Sequence, residues 1–300
     1  MLQLFKLACL ACLACLAKAN RCFTPSEKCL PSTASLLVID PQNDFINGTL
    51  TVPGAIEDVF RSSKFISNFS FSINNIFVTL DTHDFNHIAH DRSLLKDLQG
   101  NELPNFTTVT VDDIETGKVI VKEGMKEIFI QYLKDLEKSG KYQYTKWPVH
   151  CVKGTDGHLV HSELQNQFNI WSKQSGKEVH YIEKGRNDLT EMYSALSAEV
   201  PQENDSSTQL NTKLIKSLNE NDYVIVFGQA KSHCVKSTVE DYLNNIGPTT
   251  KIILLNDLTS SVPGFEHLGN ELEKTLTDKG HFVTTSDNLN TLLMNLEMRY

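Results

Sequence analysis

Asp40, Asp81, His83, His150, Lys184 and Cys234 are the side chains of this 300-residue chain whose types and places could do chemistry. Asp40 ends the apolar run Ser35-Leu-Leu-Val-Ile39, and Lys184 follows the run Val179-His-Tyr-Ile182. Cys234 comes after Tyr223-Val-Ile-Val-Phe227, a break at Gly228 and a short polar turn. It opens a helical pattern carried by Val235, Val239, Tyr242 and Leu243. A thiol at a helix start sits in the positive end of the macrodipole, which lowers its pKa and favours the thiolate. The competing reading of Cys234 is a half-buried structural cysteine. A carboxylate, an ammonium and a thiol at strand ends supply a base, a cation and a nucleophile.

The remaining candidates have the look of metal ligands. In Asp81-Thr-His83 the period of two turns carboxylate and imidazole the same way, so both can face one ion. A hydrogen-bonded surface turn is the alternative for such a pair. Trp147-Pro-Val-His150-Cys-Val-Lys-Gly154 adds a histidine in a Pro-bearing turn. Two histidines and a carboxylate with an open position suit a divalent metal, zinc above all. His87 and His90 are reserve ligands, or else solvated loop histidines.

These residues need strand ends to stand on, and the chain provides them. Apolar runs at 35–39, 75–80, 179–182, 223–227, 251–255 and 281–284 alternate with helical patterns around 56–69, 208–218, 234–245 and 265–277. Strands apolar on both faces, alternating with helices, predict an α/β fold with an open, largely parallel sheet flanked by helices. Function in such sheets gathers beyond the carboxyl ends of the strands. Residues 92–146 break the alternation and read as a polar insertion, a lid or rim. Within it the pattern predicts a strand pair, Thr107–Val111 with Lys118–Val121, and a helix over Lys122–Lys138.

A net charge of −9 speaks against nucleic acid as a partner, since its phosphates demand basic surface. Met1–Lys6, the apolar Leu7–Leu16 and Ala17-Lys-Ala19 form the pattern of a signal peptide cut after Ala19. The apolar run is too short to span a bilayer, as is every later one, so the mature chain is expected to lack a membrane span and to be secreted or luminal. The expected organisation is then a leader (1–19), an extension (20–34) and one domain (35–300). After cleavage four cysteines remain, and Cys22 and Cys29 are the natural pair for a small disulfide loop. Sequons stand at Asn47, Asn68, Asn105 and Asn204, roughly as many as chance gives, and they permit glycosylation.

Taken together, several segments resemble the nicotinamidases of the cysteine-hydrolase, or isochorismatase-like, superfamily. They are Leu37-Val-Ile-Asp40-Pro-Gln-Asn-Asp-Phe45, Asp81-Thr-His83 with Asn86-His87, and Trp147-Pro-Val-His150-Cys. Lys184-Gly185 with Tyr193-Ser-Ala195, and Gly228-Gln-Ala230 through Cys234-Val, complete the set. The resemblance runs from about Ser35 to Asn290, interrupted by the insertion. It implies Asp40, Lys184 and Cys234 as a catalytic triad and Asp81, His83 and His150 as metal ligands. It also implies a cis peptide before Ala230 and an oxyanion hole from the N–H groups of Ala230 and Cys234. Phe45, Trp147, Tyr193, Gln229 and Ala230 are the implied substrate contacts. Nicotinamide would be hydrolysed to nicotinate and ammonia through a thioester, with the metal on the pyridine nitrogen. Lys231-Ser-His233 and Ser194-Ala-Leu196 depart from the family's pattern at the pocket rim, which touches substrate tolerance. A carbamoyl or ureido amidase of the same superfamily and a secreted, non-catalytic binding protein are the alternatives. A homo-oligomer is compatible with each.

Overall fold

A computed structural model describes residues 33–90 and 94–297. The expected leader and the Cys22–Cys29 loop lie outside the described residues. Six strands form one sheet in the order β10-β9-β8-β1-β2-β7, and every neighbouring pair is parallel. They are β1 (Ala34–Ile39), β2 (Ile73–Asp81), β7 (His180–Lys184), β8 (Tyr223–Gly228), β9 (Lys251–Leu255) and β10 (Phe282–Thr284). Leu36 to Ile39 and Val224 to Phe227 are fully buried, as expected of central strands covered by helices on both faces.

The strand order dictates where a site forms. The chain runs from β1 outward to β2 and β7, then returns to β8 on the other side of β1 and runs outward again. Connections diverge at the β1–β8 seam, so a crevice opens beyond the carboxyl ends there. Register does the fine placement: Asp81 lies beside Lys184 across β2 and β7, and Ile39 beside Gly228 across β1 and β8. A Cβ on Gly228 would fall 2.1 Å from the Ile39 carbonyl oxygen, so the closeness of the two strand ends demands glycine there.

Helices α1 (Asn43–Ile46), α2 (Ala55–Phe69), α5 (Ser162–Ser175), α6 (Thr212–Asn219), α7 (Lys236–Leu243), α8 (Glu266–Asp278) and α9 (Leu289–Glu297) accompany the sheet. Boundaries moved where local chemistry intervened. The helix expected from Thr208 starts at Thr212, because the Asn211 side chain accepts the Leu214 N–H and caps it there. The helix expected from Cys234 is a π turn, Lys231–Val235, followed by α7.

Between β2 and α5 lie β3 (Leu95–Lys96), β4 (Thr108–Val109), α3 (Val111–Glu115), β5 (Ile120–Val121), α4 (Lys126–Ser139) and β6 (Tyr144–Thr145). The expected pairing of Thr107–Val111 with Lys118–Val121 is not formed. β4 pairs with β6, and β5 with β3, both antiparallel. The helix predicted from Lys122 begins at Lys126, since Gly124 takes a left-handed turn ahead of it. Leu95, Val109, Ile114, Phe129, Leu133 and Leu136 bury one another in an apolar cluster apart from the main core. Among the described residues no helix is long and apolar enough to cross a membrane.

Candidate active site

Lys184 is the centre of the strand-end cluster. Its ammonium lies 3.0 Å from Asp40 Oδ2, 3.0 Å from Asp81 Oδ1 and 3.5 Å from Cys234 Sγ, and it donates to the Met192 carbonyl at 3.0 Å. Lysine, both aspartates and the thiol are all buried. A buried ammonium survives only when its charge is answered, and the two carboxylates answer it. Burial works against its charge, but Asp40 and then Asp81 outweigh that and hold Lys184 well above its usual range. Asp40 has a left-handed backbone (φ 43), which aspartate tolerates, and Thr79 Oγ1 donates to its Oδ1 at 2.5 Å. Gln42, on the turn after β1, grips the end of β2 by accepting the Asp81 N–H and donating to the Asp81 carbonyl.

The thiol departs from expectation. Cys234 is the fourth residue of the π turn and is buried, so its surroundings are not those of an exposed helix start. Burial pushes its pKa well above the usual thiol value, and the opposing pull of Lys184 does not overcome it. Asp40 is raised as well, by burial first, against the pull of Lys184. Thiol and carboxyl thus both hold protons more tightly than in water. That matches a pair sharing a proton better than a free-standing thiolate. The Gln229–Ala230 peptide just before the turn is cis.

Beside Lys184, Asp81 also meets the histidines. His83 Nε2 lies 3.0 Å and His150 Nε2 3.4 Å from Asp81 Oδ2. His83 Nδ1 faces the Gly185 carbonyl (2.9 Å) and His150 Nδ1 the Pro148 carbonyl (2.7 Å). A carbonyl only accepts, so both Nδ1 atoms carry hydrogen, and the nitrogen each ring would offer a cation is the Nε2 that faces the carboxylate. Three acceptors aimed at one point fit a divalent cation, with the two carbonyls orienting the rings. Burial opposes charge on His83, yet Asp81 outweighs it and raises the pKa; the same field draws in a metal ion. His87 and His90 are buried members of this cluster, not solvated loop residues. His83, His90 and His150 form one metal-competent group, and His83, His87 and Glu191 another. His90 Nε2 accepts the His150 N–H, which occupies the lone pair it would give a metal.

A small cavity opens over the thiol, walled by Phe45, Trp147, Tyr193, Ala230 and His233, with Asp81 and His150 on the same lining. Trp147 Nε1 donates to the Tyr193 hydroxyl at 2.9 Å and squares the two rings. Gln229 is not part of this wall. Its amide is buried and donates to Asp58 Oδ2 at 2.8 Å.

No family model matches the chain. The nicotinamidase of Saccharomyces cerevisiae is 29% identical over 255 residues, spanning 84% of this chain and 99% of the yeast protein. The chain resembles nicotinamidases. Solved structures agree on the fold. A nicotinamidase/pyrazinamidase of Acinetobacter baumanii superposes with a TM-score of 0.59 at 22% identity, covering 86% of this chain and 99% of that one. Yeast nicotinamidase bound to the inhibitor nicotinaldehyde gives 0.57 at 22%, over 84% and 100%. A protein of L. infantum in complex with nicotinate gives 0.54 at 21%, over 85% and 93%.

Thr79 and Glu191 had no place in the sequence reading, and His233 entered it only as a departure at the pocket rim. Thr79 shares the β2 face with Asp81 at a spacing of two, a signal the alternation carried. His233 adjoins the thiol in sequence. Its Nδ1 lies 2.9 Å from Ser232 Oγ, and its ring stacks on Tyr142 from the insertion. Glu191 gave no signal of its own. Cys151 and Cys234 are free, buried thiols, and the four sequon asparagines are all exposed.

Proposed function

We propose that the chain hydrolyses nicotinamide to nicotinate and ammonia, with Cys234 as nucleophile. The observation that carries this is Lys184: one buried ammonium within 3.5 Å of a carboxylate base, a thiol and the carboxylate of a metal-competent cluster. Asp40 accepts the Cys234 proton as sulfur attacks the carboxamide carbon, and the oxyanion is met by the N–H groups of Ala230 and Cys234. Asp40 then returns the proton to the departing nitrogen and the C–N bond breaks, leaving a thioester and ammonia. Water, deprotonated by Asp40, cleaves the thioester to the carboxylic acid and restores the thiol. Lys184 keeps Asp40 in place and offsets the negative charge that passes between carboxylate and sulfur.

Asp81, His83 and His150 would hold the metal, zinc being the expected ion; once bound it would give a ring nitrogen a coordinate bond and so orient the ring. Phe45, Trp147 and Tyr193 sandwich that ring and exclude water. The resemblance to yeast nicotinamidase supports the same substrate class. Ammonia release from nicotinamide, assayed before and after chelation, tests the reading. Turnover that falls on chelation and returns with Zn²⁺ is expected. A well-folded, metal-loaded protein with no turnover would refute it.

A further inference from the structure

Tyr142 stands apart from the rest of the insertion. The insertion's other buried apolar side chains pack on one another, whereas the Tyr142 ring belongs to the main core. It lies against His233 with ring centroids 5.4 Å apart and against Tyr193 at 4.7 Å. Its buried hydroxyl donates to two carbonyls of the π turn, that of Ser232 at 3.4 Å and that of His233 at 3.3 Å. Both distances are long for a hydroxyl, as fits one proton serving two acceptors. Burial pushes the Tyr142 pKa far above the usual tyrosine value, so the proton stays and the hydroxyl donates. Next to it, Lys141 meets Asp241 of α7 at 2.6 Å, which docks the same segment on the helix that follows the turn.

The His233 carbonyl and the Cys234 N–H belong to one planar trans peptide unit and point opposite ways. Whatever aims the carbonyl therefore aims the N–H. The Lys236 N–H holds that carbonyl from within the turn, and Tyr142 holds it from outside. We propose that Tyr142 is a positioning residue for the hydrolysis: by fixing the His233 carbonyl it directs the Cys234 N–H at the oxyanion. Tyr142 is not on the lining of the cavity over the thiol, so it acts through the backbone of the turn. The insertion thereby takes part in catalysis. This inference rests on the proposed reaction for the use of that N–H. Negative charge on the substrate oxygen develops on the way to the tetrahedral intermediate, so the contribution of Tyr142 belongs to the transition state and not to substrate binding.

Tyr142→Phe removes the hydroxyl and keeps the ring on His233, with circular dichroism checking the fold. In this variant kcat for nicotinamide should fall about tenfold with KM within about twofold, less than the roughly 10²–10³-fold that losing a whole oxyanion donor costs. Nicotinaldehyde gives a readout without turnover. Its carbonyl carbon takes the Cys234 sulfur and its oxygen the thiol proton, and the tetrahedral adduct leans on the same two donors. Its inhibition constant should rise about tenfold, in step with the loss in kcat. Hydrogen exchange needs no ligand at all. The His233 and Val235 amides, which donate to the Ala230 carbonyl at 3.0 and 3.2 Å, should exchange about tenfold faster in the variant. Unchanged kcat, a loss confined to KM, unchanged inhibition by nicotinaldehyde, or turn amides that exchange at the wild-type rate would each overturn the proposal. A wild-type protein without turnover would strike the proposed hydrolysis instead, and the exchange rates would still decide whether Tyr142 holds the turn.

Discussion

The strand-end cluster and the insertion both contain lysine–aspartate pairs, and the pairs do different work. In the insertion, Lys118 meets Asp113 at 2.5 Å with the lysine side chain 74% exposed. A pair so open to solvent contributes little to stability. At the strand ends Lys184 meets Asp40 and Asp81 with no exposure on the lysine. Breaking such a buried pair strands a charge, which usually costs about 3–5 kcal/mol. Stability alone is a poor reason to keep that arrangement, because well-packed apolar residues would serve as well. Its use is to hold charge beside a reacting sulfur. The insertion, by contrast, holds itself together with an apolar cluster of its own and meets the site through single side chains such as Phe106, which packs on Trp147. Tyr142, which stacks on His233, is another.

The sharpest break of this comparison is Cys234→Ala. With the nucleophile gone, kcat should fall by about 10⁵-fold or more, while circular dichroism stays that of the wild type. Residual turnover above about 1% of wild type would contradict a covalent thiol route.

Next in size is the choice of substrate. Benzamide keeps the ring and the amide but has nothing to offer the metal position. A lost polar partner in a buried site costs on the order of 10⁴-fold in kcat/KM, so nicotinamide and pyrazinamide should be turned over and benzamide scarcely. His83→Ala should shrink that discrimination together with the rate. Similar kcat/KM for benzamide and nicotinamide on metal-loaded enzyme would leave the ion no role in recognition.

A change confined to the insertion should have the opposite profile. Leu133 is fully buried in the insertion's own cluster, away from the triad. Leu133→Ala should cost about 2–5 kcal/mol locally. Hydrogen exchange should therefore speed up across 94–146, with kcat falling less than about tenfold. A variant that loses exchange protection across the β-sheet as well would show that the two regions fold as one unit.

The sheet was legible because its strands are short apolar runs buried on both faces, and the ends of those runs already marked Asp40, Asp81 and Lys184. The insertion was not, because β3 to β6 are two residues each and carry no period to read. Nor could the sequence say that the Gln229 side chain turns away to Asp58, since neither local spacing nor type distinguishes a buried hydrogen bond from a pocket wall. The thiol is the instructive miss. A helix-start argument lowers its pKa, whereas burial raises it, and burial is a property of the whole fold.

Glu199 lies between the two regions and offers the finest test. It accepts from Ser237 Oγ on α7 at 3.0 Å, the helix that follows Cys234, and Lys141 of the insertion lowers its pKa from the other side. Burial dominates nonetheless and pushes the carboxyl up to about 7 from 4.5. A shift of that size is about 3 kcal/mol at full strength, and about 2 once solvent screening of a half-buried group is allowed for. Because the folded pKa lies above the unfolded one, the folded state holds this proton more tightly. The stability it brings is complete below pH 4.5 and is lost as pH rises through 7. Glu199→Gln keeps an acceptor for Ser237 and removes the titration. Urea unfolding of wild type and variant, compared near pH 5 and near pH 8, should therefore show the variant gaining about 2 kcal/mol relative to wild type at the higher pH. Equal pH dependence in the two proteins would mean that Lys141 already neutralises the ionised carboxylate. The insertion would then be electrostatically tied to the nucleophile's helix, and the contrast between the two regions would be weaker than their separate apolar clusters suggest.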